Sequence, residues 1–536
     1  MVSWAVFLWV LFSFHVSSSA ALIEIWERPL QRGNFPPSLF AKNKPCGPPV
    51  RVAQEAVGNE AGNSDFAWSP QHRQAYADIN KLKLTSGRAL LAQAPRNGIG
   101  LYLADYADLL YLLVAEDRAA YNRLEAEEDN RLKQLRRMDP DSPWNRFIQA
   151  EIKLHWAFVK IKFGHETSGA WGVIQAYRLA SDNAKRFPDF LPNQKILGLL
   201  HVLIGSTPEQ YRWVTNLLGL RGDVPGGLRE LAHVAARDPI FGDEARLMEA
   251  LIRVYITKTD ARQLTQFQEF VRQRSDNLLL RFFGVAALIK EGQSEAALGL
   301  LASRPTGPEY LPVPFFEYHR GEILLQKKEY GPALAAFGAF LKAHRGRNFV
   351  KDATYKQALC HWLQNDDARA RPLLDRVRQV GATTVEPDKV AQRFAEQFND
   401  IRPDRAAVQK ALMRARLASD GGYYAEAMEE LKNFQEKSVP LSRDRAELAY
   451  RRARILHRSA DTGRAVPFYE RALALSEGQP WYFGAMSALQ LGYIAQAKGQ
   501  NQTARAFFEK ALAFRKHEYK NSVDNKAKAA LNGLGY

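Results

Sequence analysis

The passage from Ala485 to Lys516 constrains the fold of this chain more than any other. Ala488, Leu491, Gly492 and Ala495 recur at three- and four-residue intervals, the spacing that gathers side chains on one face of an α-helix. Gly499, Gln500, Asn501 and Gln502 interrupt the period, and Ala504, Phe508 and Ala511 resume it. The passage therefore predicts two helices joined by a tight turn. Gly492, Ala504 and Ala511 are small where the helices must approach, and Leu491 and Phe508 fill the space between them.

The same order recurs upstream. Hairpins are predicted to start near Leu278, Pro314, Lys351, Val408, Ala446 and Ala485, most of them about 36–39 residues apart. Their second helices carry Ala297, Ala333, Ala370, Ala427, Ala465 and Ala504, each followed four residues later by Leu301, Phe337, Leu374, Leu431, Tyr469 or Phe508. A small residue, a later alanine, an aromatic and another alanine resemble the signature of the tetratricopeptide repeat. The resemblance implies an all-α solenoid over residues 278–518, lined on one wall by the first helix of each hairpin. One interval is longer, about 57 residues, and places an insertion near 379–407 with a helical stretch Asp388 to Phe398 between Pro387 and Pro403. Residues 519–536 read as a capping helix, Val523 to Leu531, with Asp524, Lys526 and Lys528 on its polar face.

Ahead of this array, residues 68–276 read as a helical N-terminal region. Ser69-Pro70 and Ser142-Pro143 are helix-start signals, and Trp144, Phe147, Ile148, Ile152, Trp156, Phe158 and Val159 make the second of these helices broadly apolar. The run Ile196 to Ile204 is too short to cross a membrane and reads as a buried helix. Glu125, Glu127, Glu128 and Asp129 read as a solvated face, with Glu127 and Asp129 set four residues before Arg131 and Lys133. His155 and His165 lack ligand-like partners and read as core or surface residues. In Thr215 to Leu231, Gly222, Gly226 and Gly227 precede a helix whose first N–H groups could face an anion, but no P-loop Lys-Ser/Thr follows, so a structural turn is expected. This passage also resembles the inclusion-body clearance family of tetratricopeptide proteins.

No Asp, Glu, Lys or Arg occurs from Met1 to Ile23, and Ser18-x-Ala20 offers the small residues a signal peptidase requires. Residues 1–20 therefore read as a signal peptide, with a retained membrane anchor over 1–23 as the alternative. Residues 21–67, rich in proline and glycine, read as a linker. The expected location is periplasmic or secreted. The two cysteines, Cys46 and Cys360, cannot build a zinc site and are expected to be unpaired.

The chain carries 74 Lys and Arg against 58 Asp and Glu, a net charge of +16 that favours acidic partners. Catalytic, cofactor and metal motifs are missing: there is no HExxH, no GxSxG and no GxGxxG after a strand. The pattern predicts a non-catalytic scaffold of the cell envelope that binds a protein or peptide ligand in the groove, and it does not point to nucleic acid. A binder of an anionic polymer and an enzyme with an all-helical site are the alternatives. Groove-facing positions on this register are Tyr318, Glu322, Tyr355, Trp362, Arg416, Tyr450, Arg454, Arg458, Leu489 and Tyr493. Tyr450, Arg454 and Arg458 form one stripe at four-residue intervals, and with Arg416 and Tyr493 they are the expected partner-binding residues. In this reading Tyr450 stacks on the ligand, while Arg451 and Arg452 point elsewhere and only solubilise.

Overall fold

The computed structural model describes residues 64–207, 212–257, 259–398, 403–517 and 519–534, and every regular element among them is helical. The fold is an all-α helical-repeat fold. The expected leader, nearly all of the linker, and Cys46 lie outside the described residues. Two compact units are present. The first takes the described residues up to Ala287 with Leu300–Val313 and His344–Gly346; the second takes Leu288–Gly299, Pro314–Ala343 and the described residues from Arg347 onward.

A short 3-10 turn, Ser64–Phe66, opens the first unit. Its helices are α1 (Pro70–Asn80), α2 (Leu84–Gln93), α3 (Gly98–Ala115), α4 (Arg118–Leu124), α5 (Glu127–Leu135), α6 (Pro143–Lys162), α7 (Glu166–Arg186), α8 (Pro192–Gly205), α9 (Arg212–Leu217), α10 (Val224–Arg237), α11 (Gly242–Tyr255) and α12 (Ala261–Gln273). Ser69 caps α1 by accepting the His72 N–H at 3.2 Å, and Pro70 supplies the first helical residue without needing a donor. Pro143 opens α6 in the same way, although Ser142 makes no side-chain cap bond. Helices α8 and α10 touch backbone to backbone: a Cβ on Gly227 would stand 2.2 Å from the Gly198 carbonyl oxygen, so only glycine allows that approach. By length and composition α3 could cross a membrane. It lies instead in the core of this unit, with Asp105 and Asp108 buried against Arg131.

That contact corrects the reading of the acidic run. Arg131 is buried and bonds Asp105 on α3 at 2.8 Å, while Glu128 is buried and accepts from Lys153 at 2.8 Å and from Lys160 at 2.5 Å. One side of α5 thus packs onto α3 and α6 through paired charges, which a count of i,i+4 partners on a single helix cannot foresee.

Helices α13 (Leu278–Lys290) and α14 (Ser294–Ala302) form the first predicted hairpin, and the division between the units runs through it. The second unit continues with α15 (Phe315–Gln326), α16 (Tyr330–Ala343), α17 (Val350–Leu363), α18 (Asp367–Gln379), α19 (Glu386–Gln397), α20 (Pro403–Gly421), α21 (Tyr424–Leu431), α22 (Ser442–Arg458), α23 (Thr462–Leu475), α24 (Tyr482–Ala497), α25 (Asn501–Ala513) and α26 (Lys520–Gly533). Successive helices pack as the hairpins α15/α16, α17/α18, α20/α21, α22/α23 and α24/α25. The helices α13, α15 and α17 begin within one residue of the predicted starts, and α20, α22 and α24 begin three to five residues before theirs. Ala333, Ala370, Ala427, Ala465 and Ala504 are all at 0% exposure, and the larger residue four places on is buried beside each one. A methyl is the largest group these crossings admit.

Helix α19 packs on α17 and α18. Its Asp388 carboxylate accepts the Phe349 and Asp352 N–H groups at 2.7 and 2.9 Å and so caps the first turn of α17. Phe394 lies 4.9 Å from the Tyr355 ring and 5.7 Å from Trp362. Cys360 on α17 is free and buried, and burial pushes its thiol up to about 12, which leaves it without nucleophilic character.

Candidate functional site

The expected partner-binding residues Arg416, Tyr450, Arg454, Arg458 and Tyr493 all belong to the second unit, on α20, α22 and α24. The structure links the first four. Asp420, one turn after Arg416, accepts from Arg458 at 3.4 Å and lies 3.7 Å from Arg416. Arg454 donates to the Tyr450 hydroxyl at 3.3 Å. Burial works against the Asp420 carboxylate, but Arg416, Arg454, Arg458 and Arg451 together hold it below the usual carboxylate range. One acidic group is therefore surrounded by four arginines.

The chain closes tightly around this cluster. A Cβ on Gly292, in the α13–α14 turn, would meet the Arg458 guanidinium at 2.5 Å and the Asp420 carbonyl oxygen at 3.2 Å. Lys290, at the end of α13, comes from the same turn. Withdrawal from bulk water lowers its ammonium, with Glu291 pulling the other way and Arg454 adding to the loss. Its side chain is nonetheless exposed.

Several groove assignments are corrected by the structure. Tyr450 is 2% exposed, its ring packed on Tyr469, Tyr482 and Phe483, so it has no face to offer a ligand and serves to tether Arg454. Arg451 is not a solubilising residue: it is buried, bonds Glu447 at 2.8 Å and donates to the Tyr482 hydroxyl at 3.1 Å. Arg452 caps the end of α21 by donating to the Leu431 and Phe434 carbonyls at 2.8 and 2.7 Å. Tyr318, Leu489, Tyr355 and Trp362 are buried too, the last two because α19 lays Phe394 over them. Tyr493 is half-buried with its edge on Phe508 at 5.3 Å, which makes it a packing residue of its own hairpin with one side toward water. The arginines thus form the accessible part of the stripe. Lys290 and Asp420 were missed because turn and partner residues from other hairpins leave no periodic mark.

The first unit holds a different polar constellation. Lys195 on α8, fully buried, bonds Glu151 of α6 at 2.9 Å and Glu244 of α11 at 3.2 Å, and Tyr76 donates to Glu244 at 2.8 Å. His155 meets Asp105 at 2.7 Å and stands 3.6 Å from Glu151. Burial opposes every charge here. The mutual partners win, raising Lys195 and His155 and holding Glu151 and Glu244 below their usual values. Tyr76 and Glu244 also border a cleft of about 640 Å³ with Trp68, Arg246 and Arg274. Its charges are matched locally: Arg274 bonds both oxygens of Asp243, and Lys81 bonds Asp276. This constellation reads as an internal strut rather than a docking face.

The glycine turn between α9 and α10 behaves as a turn. The Asp223 carboxylate accepts the Gly226 N–H at 2.7 Å, placing a side chain of the protein where an external anion would have to bind. Among the described residues no cluster of three or more His, Cys, Asp or Glu could hold a metal ion.

Beside this geometry stands one family comparison. Residues 487–517 match the family model of the tetratricopeptide repeat. The match spans most of α24 and all of α25, the hairpin whose spacing is clearest, and it supports a tetratricopeptide-repeat protein. No curated protein matches the chain, so the likeness of Thr215 to Leu231 to the inclusion-body clearance family finds no support. Tetratricopeptide domains generally bind protein partners, and the helical-repeat fold supports a protein-interaction scaffold.

Proposed function

We propose that the chain is a non-catalytic scaffold of the cell envelope, and that an acidic segment of a protein partner docks on Arg416, Arg454 and Arg458 of the second unit. The observation that carries this reading is the imbalance around Asp420: Arg416 and Arg458 share this one carboxylate at ion-pair distance, while the hydrogen bond of Arg454 goes to a tyrosine hydroxyl. Guanidinium groups held on a rigid helix face bind carboxylates with little further ordering. The test is affinity capture from native envelope extract with the full chain as bait. Arg454→Ala with Arg458→Ala is expected to lower capture of the partner about tenfold. Arg464→Ala with Arg505→Ala, exposed residues on α23 and α25 paired with Asp461 and Glu509, is the charge-matched control and is expected to leave capture unchanged. Equal loss in both would reduce the effect to nonspecific charge. The same surplus of cations supports the anionic-polymer alternative, for which capture would fall steeply with salt whatever the sequence of the ligand.

Export is proposed on the uncharged Met1 to Ile23 stretch and Ser18-x-Ala20. N-terminal sequencing of the native protein is expected to begin near Ala21. An intact Met1 on protein extracted from membrane would establish the anchor instead.

A further inference from the structure

We propose that the terminal helix α26 is part of the docking surface, and that Lys526 and Arg454 together grip a cluster of carboxylates on a protein partner. This rests on the reading of α20 and α22 as the docking face. Sequence pattern assigns α26 a capping role, and Val523, Ala527 and Ala530 do bury themselves in the core shared by α22, α24 and α25. Lys526 stands on the exposed flank of that helix.

A chain of rings fixes where the helix begins. Tyr519, just before α26, meets Tyr482 at 5.1 Å, Tyr482 meets Tyr450 at 5.8 Å, and the Tyr450 hydroxyl holds Arg454. The start of α26 is thereby tied to the turn of α22 that carries the arginine. The electrostatics agree: loss of bulk water first, then Lys290 and Arg454, lowers the Lys526 ammonium. Neither Lys526 nor Arg454 has a carboxylate at ion-pair distance among the described residues, and Asp420 is already engaged by Arg416 and Arg458.

Cations from two separate helices that repel each other are stabilised by an anion placed between them. A single terminal carboxylate saturates one guanidinium and leaves the ammonium facing water. Two or more acidic side chains close together on the partner satisfy both. The buried ring of Tyr450 provides no stacking platform of the kind that sugars or bases use, which favours a protein segment over a polymer.

The experiment titrates the full chain with a fluorescein-labelled octaglutamate peptide, followed by anisotropy, with inorganic polyphosphate as a parallel probe. Lys526→Ala and Arg454→Ala are each expected to weaken octaglutamate binding about tenfold, while Lys526→Arg and Arg505→Ala stay within about twofold of wild type. Loss in Arg454→Ala with wild-type binding in Lys526→Ala would overturn the role of α26 and leave the docking face standing. Wild-type binding in both would overturn the docking face as well. Polyphosphate binding tighter than octaglutamate, with the same dependence on both residues, would overturn the commitment to a protein ligand.

Discussion

Replacing Lys195 with methionine is expected to cost the first unit about 3–5 kcal/mol at neutral pH. The substitution keeps most of the stem and removes only the charge, so the loss is electrostatic rather than a cavity effect. Glu151 and Glu244 lose the cation they share at 2.9 and 3.2 Å, in a site fully shut off from water. The pH dependence gives the signature. In the native protein Lys195 helps to hold Glu244 below its ordinary 4.5, so its contribution is complete above pH 4.5 and is lost as pH falls through the lowered value. Without Lys195, burial dominates and raises both carboxyls, and the variant then gains stability as pH falls through their raised values. The gap between wild type and variant should therefore be widest near pH 7 and narrow toward pH 4.5. Because the chain holds two units, global unfolding is not a two-state measure, and amide hydrogen exchange on α6, α8 and α11 is the suitable readout. A gap that is the same at both pH values would show that Lys195 does not neutralise these carboxylates.

The sequence exposes the repeat array far better than the strut around Lys195, and the reason is physical. A repeat demands a small residue at the same place in each hairpin, and Ala333, Ala370, Ala427, Ala465 and Ala504 satisfy that demand at spacings a reader can count. The strut joins Asp105, Glu151, His155, Lys195 and Glu244, which lie on four helices and share no period. Polar residues at such positions look like exposed residues until their partners are known. The proposed docking face is half legible for the same reason. The stripe Tyr450, Arg454, Arg458 follows from helical spacing, but spacing alone does not tell which member is sealed by the next hairpin. Tyr482 and Phe483 seal Tyr450, and Glu447 with Tyr482 takes up Arg451. Lys526 reads as an ordinary solubilising lysine until the ring contacts tie the start of α26, through Tyr482 of α24, to Tyr450 of α22.

Placing a glutamate at Ala504 should be the second large effect, and it tests the repeat register directly. Ala504, Phe508 and Ala511 present a completely buried face of α25 to α24. On the opposite side, a Cβ at Gly492 would already stand 2.4 Å from the Phe508 ring, so the hairpin has no slack to accept four more heavy atoms and a charge. Ala504→Glu is expected to destabilise this hairpin by roughly 3–5 kcal/mol, from overpacking together with an unpaired buried carboxylate. Gln502→Glu adds the same charge to the exposed side of the same helix and should stay within about 0.5 kcal/mol. Hydrogen exchange should show Ala504→Glu loosening residues 485–516 and, with them, α26, because Val523, Ala527 and Ala530 pack into the same core. Unchanged protection across both segments would mean that Ala504 does not face α24. The proposed docking surface would then lose α26, since the position of Lys526 depends on Val523, Ala527 and Ala530 closing that core.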